Sequence, residues 1–176
     1  RIVSLTFAPD GKTIATGNED HTVEIWDVQT GMELSRFTGH SHFIRSVAFS
    51  LDGRTLASAS EDRTVRLWDL ASNTQKAVLP HRFEVTSIAL SLDGRILASA
   101  ASNSDSPAEE GEVRLWDPAT GSPLATLDQY VGNVNSVAFV PGTTLLMVGC
   151  ENKTVRLLDT GAASAAKHLT GHAPKE

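Results

Sequence analysis

The chain has 176 residues, 40% hydrophobic and 20% charged, a composition that can bury one core and rules out a disordered tail. Its 15 Lys and Arg stand against 21 Asp and Glu, a net charge of −6, which argues against a general binder of nucleic acid or of an anionic membrane surface. No run approaches about 18 apolar residues, and Arg1-Ile2-Val3 opens neither a basic nor a long apolar leader, so neither a membrane span nor a secretion signal is read. A single cysteine, Cys150, excludes an internal disulfide and fits a reducing, intracellular compartment, the cytoplasm first and the nucleus included. The first methionine is Met32, which points to a piece of a longer protein or a processed form.

In chain order, two blocks alternate. The first is Phe7-Ala8-Pro9-Asp10-Gly11, and fifteen residues from Phe7 begins the second, Thr22-Val23-Glu24-Ile25-Trp26-Asp27. The pair returns as Phe49-Ser50-Leu51-Asp52-Gly53 with Thr64-Val65-Arg66-Leu67-Trp68-Asp69, and then as Leu90-Ser91-Leu92-Asp93-Gly94 with Glu112-Val113-Arg114-Leu115-Trp116-Asp117. A decayed fourth copy is Phe139-Val140-Pro141-Gly142 with Thr154-Val155-Arg156-Leu157-Leu158-Asp159. Between second blocks the spacings are 42, 48 and 42, a period that decides the architecture before any local motif does.

The second unit shows what one period holds. Ile44 to Ser50 alternates, Asp52-Gly53 turns, Thr55 to Ser60 alternates, Glu61-Asp62-Arg63 turns, Thr64 to Asp69 is a third strand, and Gln75 to Leu79 a fourth. In unit four the fourth strand is expected from Lys167 to Leu169, ending at Gly171-His172. No window repeats at helical spacing. Val65 and Leu67 point to one side of the third strand and Trp68 to the other, so the sheet is apolar on both faces and must be covered on both. Radial stacking of blades does that. The expected fold is an all-β propeller segment of four four-stranded antiparallel blades, near residues 1–39, 40–80, 81–129 and 130–172.

These Trp-Asp endings, the Gly39-His40 and Gly171-His172 pairs, the Asp-Gly turns and the period resemble the WD40 repeat family over the whole chain. The resemblance implies a hydrogen-bonded tetrad inside each blade: His40, Ser58, Asp62 and Trp68 in unit two, with Ser60 as the second choice of hydroxyl. Unit one would keep Thr16, Asp20 and Trp26, its His coming from elsewhere. Unit three would keep His81, Ser99 and Trp116, with an insertion displacing its turn Asp. Unit four has lost the set, with Tyr130, Val148, Asn152 and Leu158 at those positions. The family closes into rings of more blades than four, so three arrangements are expected: an arc of a longer propeller, a homodimer closing an eight-bladed ring, or four blades closed on themselves. An open arc would expose two apolar faces and self-associate.

Catalytic and metal chemistry find little support. His40-Ser41-His42 is matched by no Cys or carboxylate at ligand spacing, Ser58 lies mid-strand where no substrate reaches, and Gly11-Lys12 is a hairpin turn and no phosphate loop. His21 and His42 read as solvated loop residues and Cys150 as a small buried hydrophobe. No metal, cofactor or enzymatic activity is expected. What departs from the repeat is Asn103 to Gly111, an insertion of about six residues in the second-to-third-strand turn of unit three. It shares one rim with the approaches to the first strands. That rim would carry Arg1, Val3, Glu19, Phe43, Arg45, Glu61, Glu84, Thr86, Asp105, Glu109, Glu110, Asn133, Asn135 and Glu151, an acidic set with one aromatic and few cations. The expected function is a non-catalytic scaffold docking a protein or a basic peptide on this rim. The alternative is a structural or regulatory half-propeller serving a larger chain whose catalytic domain lies outside this sequence.

Overall fold

A computed structural model describes residues 1–103, 110–131, 133–161 and 169–171. Every regular element among them is a strand. Blade one is β1 (Ile2–Phe7), β2 (Thr13–Asn18), β3 (Val23–Asp27) and β4 (Glu33–Phe37); blade two is β5 (Ile44–Phe49), β6 (Thr55–Ser60), β7 (Thr64–Asp69) and β8 (Thr74–Pro80). Blade three is β9 (Glu84–Leu90), β10 (Leu97–Ser102), β11 (Glu110–Trp116) and β12 (Pro123–Val131); blade four is β13 (Val134–Phe139), β14 (Leu145–Cys150), β15 (Val155–Asp159) and β16 (Leu169–Gly171). Each is an antiparallel meander with strands hydrogen-bonded in chain order. Blade three extends past the expected boundary at 129, because Glu110 and Gly111 at the start of β11 pair with Val131 and Tyr130. Lys167 lies outside the described residues.

Turn chemistry fixes the hairpins. Gly11, Gly53, Gly94 and Gly142 all adopt φ between +66° and +73°, a region where a side chain is strained. The Asp before three of them accepts the backbone N–H two residues on, as Asp52 does from Arg54 at 3.0 Å. The Asp of each Trp-Asp pair has a parallel duty: Asp69 accepts the amides of Ala71 and Ser72, and Asp117 that of Ala119, closing the loop to the fourth strand.

Packing runs from blade to blade. Ala15, Val23, Ile25 and Phe37 of blade one meet Ile44, Val47, Leu56 and Trp68 of blade two. The same seam recurs between blades two and three and between three and four. Val65 and Leu67 sit in the seam with blade three and Trp68 in the seam with blade one, so the two apolar parities of the third strand serve two different neighbours. Each seam is pinned by one serine: Ser4, Ser46 and Ser87 accept the backbone N–H of Val47, Ile88 and Val137 in the next blade, at 3.3 to 3.4 Å.

The two outer faces remain uncovered. Leu5 is 60% exposed while Val47, Ile88 and Val137, at the same place in the other blades, are 5–6% exposed. Val155 is 47% exposed while Val23, Val65 and Val113 are fully buried. Ile2, Phe7 and Met147 repeat the contrast. The four blades therefore form an arc with an apolar face at either end and do not close on themselves.

Candidate functional site

The blade-two tetrad is a continuous chain. Trp68 Nε1 donates to Ser58 Oγ at 2.8 Å, Ser58 lies 2.8 Å from His40 Nε2, and His40 Nδ1 lies 2.7 Å from Asp62 Oδ2. With the imidazole proton on Nδ1, every group of the chain finds a partner. Burial alone would raise the Asp62 carboxyl, but hydrogen bonds from His40 and Thr64 outweigh it and hold the group well below the usual carboxylate range. Ser60 stands outside this chain, donating to the His42 carbonyl at 3.0 Å.

The other blades hold fewer members. In blade three Trp116 donates to Ser99 at 2.8 Å and Ser99 lies 2.7 Å from His81 Nε2, while His81 Nδ1 faces the Leu79 carbonyl at 3.1 Å where blade two offers a carboxylate. Burial pushes His81 down to about 4, opposed by the Leu79 carbonyl and aided by the Arg114 charge. In blade one Trp26 donates to Thr16 at 3.1 Å, and Asp20 is bound to the amide and hydroxyl of Thr22 with no imidazole beside it.

The rim residues are aimed by a repeated irregularity. In each first strand one residue is left without a partner in the ladder: Val3 between Ile2 and Ser4, Arg45 between Ile44 and Ser46, Thr86 between Val85 and Ser87, Asn135 between Val134 and Ser136. Such a bulge turns an extra side chain out of the pleat, here towards the rim. Val3, Arg45, Glu61, Glu84, Thr86, Asn133, Asn135 and Glu151 line one hollow of about 510 Å³, together with Val85 and Ser102. Arg45 is ion-paired with Glu61, whose other oxygen lies 3.6 Å from His42 Nδ1. Thr86 and Ser102 both spend their hydroxyl protons on the Val134 carbonyl, at 2.8 and 2.6 Å.

Some rim residues sit differently from expectation. Asn133 is buried, donating to Glu151 at 2.7 Å. Arg1 and Glu19 pair with each other at 2.8 Å, outside the hollow. His21 and His42 keep contact with solvent, as read, and also cluster with Phe43: the two imidazole rings stack 6.0 Å apart, each about 6 Å from Phe43. Nothing in the sequence links residue 21 to residue 42 except their equivalent edges on adjacent blades. Asp105, Glu109 and the side chain of Glu110 lie outside the described residues. Among those described, no three His, Cys, Asp or Glu groups gather to hold a metal ion, and no helix is long and apolar enough to cross a membrane. Cys150 is a free thiol in the seam between blades three and four.

Meander blades stacked seam to seam and pinned by an indole–hydroxyl–imidazole chain define a β-propeller built of repeats. The model of the WD40 family (WD domain, G-beta repeat) matches residues 1–27, 31–69, 73–117 and 121–159, and the chain belongs to that family. It is 29% identical over 177 residues to the nuclear distribution protein PAC1 of Coccidioides posadasii, covering 97% of this chain and 37% of that protein. Over 44 residues it is 39% identical to the probable serine/threonine-protein kinase PkwA of Thermomonospora curvata, 25% of this chain and 6% of that one. The solved structure of U3-55K superposes with a TM-score of 0.83 at 22% identity, covering 96% of this chain and 51% of that one. The chain thus spans about a third of the first relative and half of the solved propeller.

Proposed function

We propose that this chain is a non-catalytic docking scaffold whose rim, at the approaches to the first strands and the second-to-third-strand turns, binds a protein or peptide of basic character. The observation that carries this reading is the hollow into which blades two, three and four each send a carboxylate, Glu61, Glu84 and Glu151, against the single cation Arg45. Acceptors outnumber donors there, and a complementary positive segment gains both encounter rate and register. A cytoplasmic or nuclear setting goes with it. Random twelve-residue peptides selected against the immobilised chain should be Lys- and Arg-rich. The Glu61→Lys/Glu151→Lys double variant should bind them at least about tenfold more weakly while still unfolding in one cooperative transition. Acidic or neutral winners, or undiminished binding by the double variant, would sink the proposal.

A second reading has its own observation, the two uncovered faces. We infer that the arc serves inside a larger assembly, as a half-propeller of a longer chain, which the partial coverage of its relatives supports. PkwA, a kinase by name, illustrates such a chain. Ser136 stands where Ser4, Ser46 and Ser87 accept the next blade's amide. Light scattering of the isolated 18.8 kDa chain should therefore show a mass that climbs with concentration. A constant 18.8 kDa would overturn the inference, and a sharp mass of twice that value would replace the longer chain with a homodimer.

A further inference from the structure

We propose that the rim hollow is a receptor for one arginine side chain of the docked partner, gripped between Glu84 and Glu151 with the Asn133 amide as a third contact; this deepens, and rests on, the rim reading above. The three carboxylates are not equivalent. Glu61 is already committed to Arg45, with His42 on its other oxygen. The Glu84 carboxylate has no hydrogen bond or ion pair among the described residues, and the Glu151 carboxylate has only the Asn133 side-chain amide at 2.7 Å. Two carboxylates therefore face the hollow with no cation paired to them among the described residues.

Asn133 supplies the independent observation. It occupies the place that Arg1, Phe43 and Glu84 hold in the other blades, all at least partly exposed, yet it is only 9% exposed. Its Nδ2 donates to Glu151, and its buried Oδ1 has no partner among the described residues. A buried acceptor left without a donor is costly, and such groups in native proteins mark a missing partner. When a cation takes over Glu151, the amide is released to turn that oxygen towards the same cation. The two hydroxyls of the hollow are not offered to an anion, since Thr86 and Ser102 both point their protons at the Val134 carbonyl.

Arginine fits this set better than lysine. Its guanidinium presents five donors in a rigid planar fork and no acceptor, which matches two carboxylates and an amide oxygen arranged around one space. The space, about 510 Å³, admits the whole side chain.

The test uses the 176-residue chain and two blocked tripeptides, acetyl-Gly-Arg-Gly-amide and its citrulline counterpart, which has nearly the same shape but no charge. In amide NMR titrations the arginine peptide should shift the signals of Glu84, Thr86, Asn133, Asn135 and Glu151, and the citrulline peptide should not. Glu84→Gln keeps the side-chain shape and should weaken arginine binding about tenfold, with signals elsewhere unmoved. Equal binding of citrulline, shifts confined to other blades, or a neutral Glu84→Gln overturns the arginine site. If the tripeptide is silent while selected basic peptides still lose affinity in the Glu61→Lys/Glu151→Lys variant, the arginine site falls and the docking rim stands; if the peptides are indifferent as well, both fall.

Discussion

Trp68→Ala is expected to lower the unfolding free energy by about 4 kcal/mol, roughly the value for deleting a buried large aromatic, whereas Leu158→Ala at the same place in blade four should cost about 2 to 3 kcal/mol. Both side chains are 2% exposed, so burial does not separate them. What separates them is what each holds. Trp68 packs its ring 5.1 Å from Phe37 of blade one and 6.2 Å from His40, and it donates the bond on which Ser58 depends. Its removal opens the seam between two blades and leaves the buried Ser58 hydroxyl short of one donor. Leu158 clusters with the apolar side chains of Val134, Val137 and Leu146, which can close partly around an alanine. Trp68→Phe separates the two contributions: it restores most of the volume, and its remaining cost, about 1 to 2 kcal/mol, is that of the stranded hydrogen bond. Urea unfolding followed by far-ultraviolet circular dichroism measures all three. Equal losses for Trp68→Ala and Leu158→Ala, with Trp68→Phe neutral, would show that the tetrad adds nothing beyond packing.

The blades were legible because a repeat states the same physical requirement several times over. Asp-Gly asks for a left-handed turn at three places and gets one at each; even Gly142, whose Asp has decayed, retains φ of +73°. Val65, Leu67 and Trp68 foretell two covered faces because the third strand is apolar in both parities, and each face does have its own seam. The rim was legible only as a list. That Val3, Arg45, Thr86 and Asn135 are each the unpaired residue of a bulge depends on ladder register, which no local pattern encodes. The burial of Asn133 was hidden for the same reason, because an asparagine before a strand ordinarily reads as a solvated turn residue. The pairing of His21 with His42 joins two blades across 21 positions and carries no periodic signal. In blade three the insertion removed the turn Asp from the pattern, and what His81 finds in its place is a main-chain carbonyl, which any residue supplies.

A buried imidazole with no carboxylate at its Nδ1 makes blade three the acid-sensitive part of the arc. The native His81 titrates near 4, well below the usual 6.5, so between those two values the unfolded chain binds a proton that the folded chain refuses. Stability therefore falls as pH drops from 6.5 to 4, by about 3 kcal/mol if the whole shift is realised. The cause is burial, aided by the Arg114 charge: the Leu79 carbonyl at Nδ1 favours the protonated ring but does not offset the desolvation, whereas blade two sets the carboxylate of Asp62 at that atom. Asp62 acts in a separate window. Its carboxyl is held below the ordinary range, so its contribution is complete above about pH 4 and is lost only as the solution becomes more acidic than that. Unfolding free energies measured at intervals from pH 7 to pH 4 should show the slope, and His81→Gln should flatten it while lowering stability at pH 7 through the weakened bond to Ser99. Asp62→Asn should leave the slope between 6.5 and 4 in place. A profile that is flat in the parent chain, or that keeps its slope in His81→Gln, would move the acid sensitivity away from blade three.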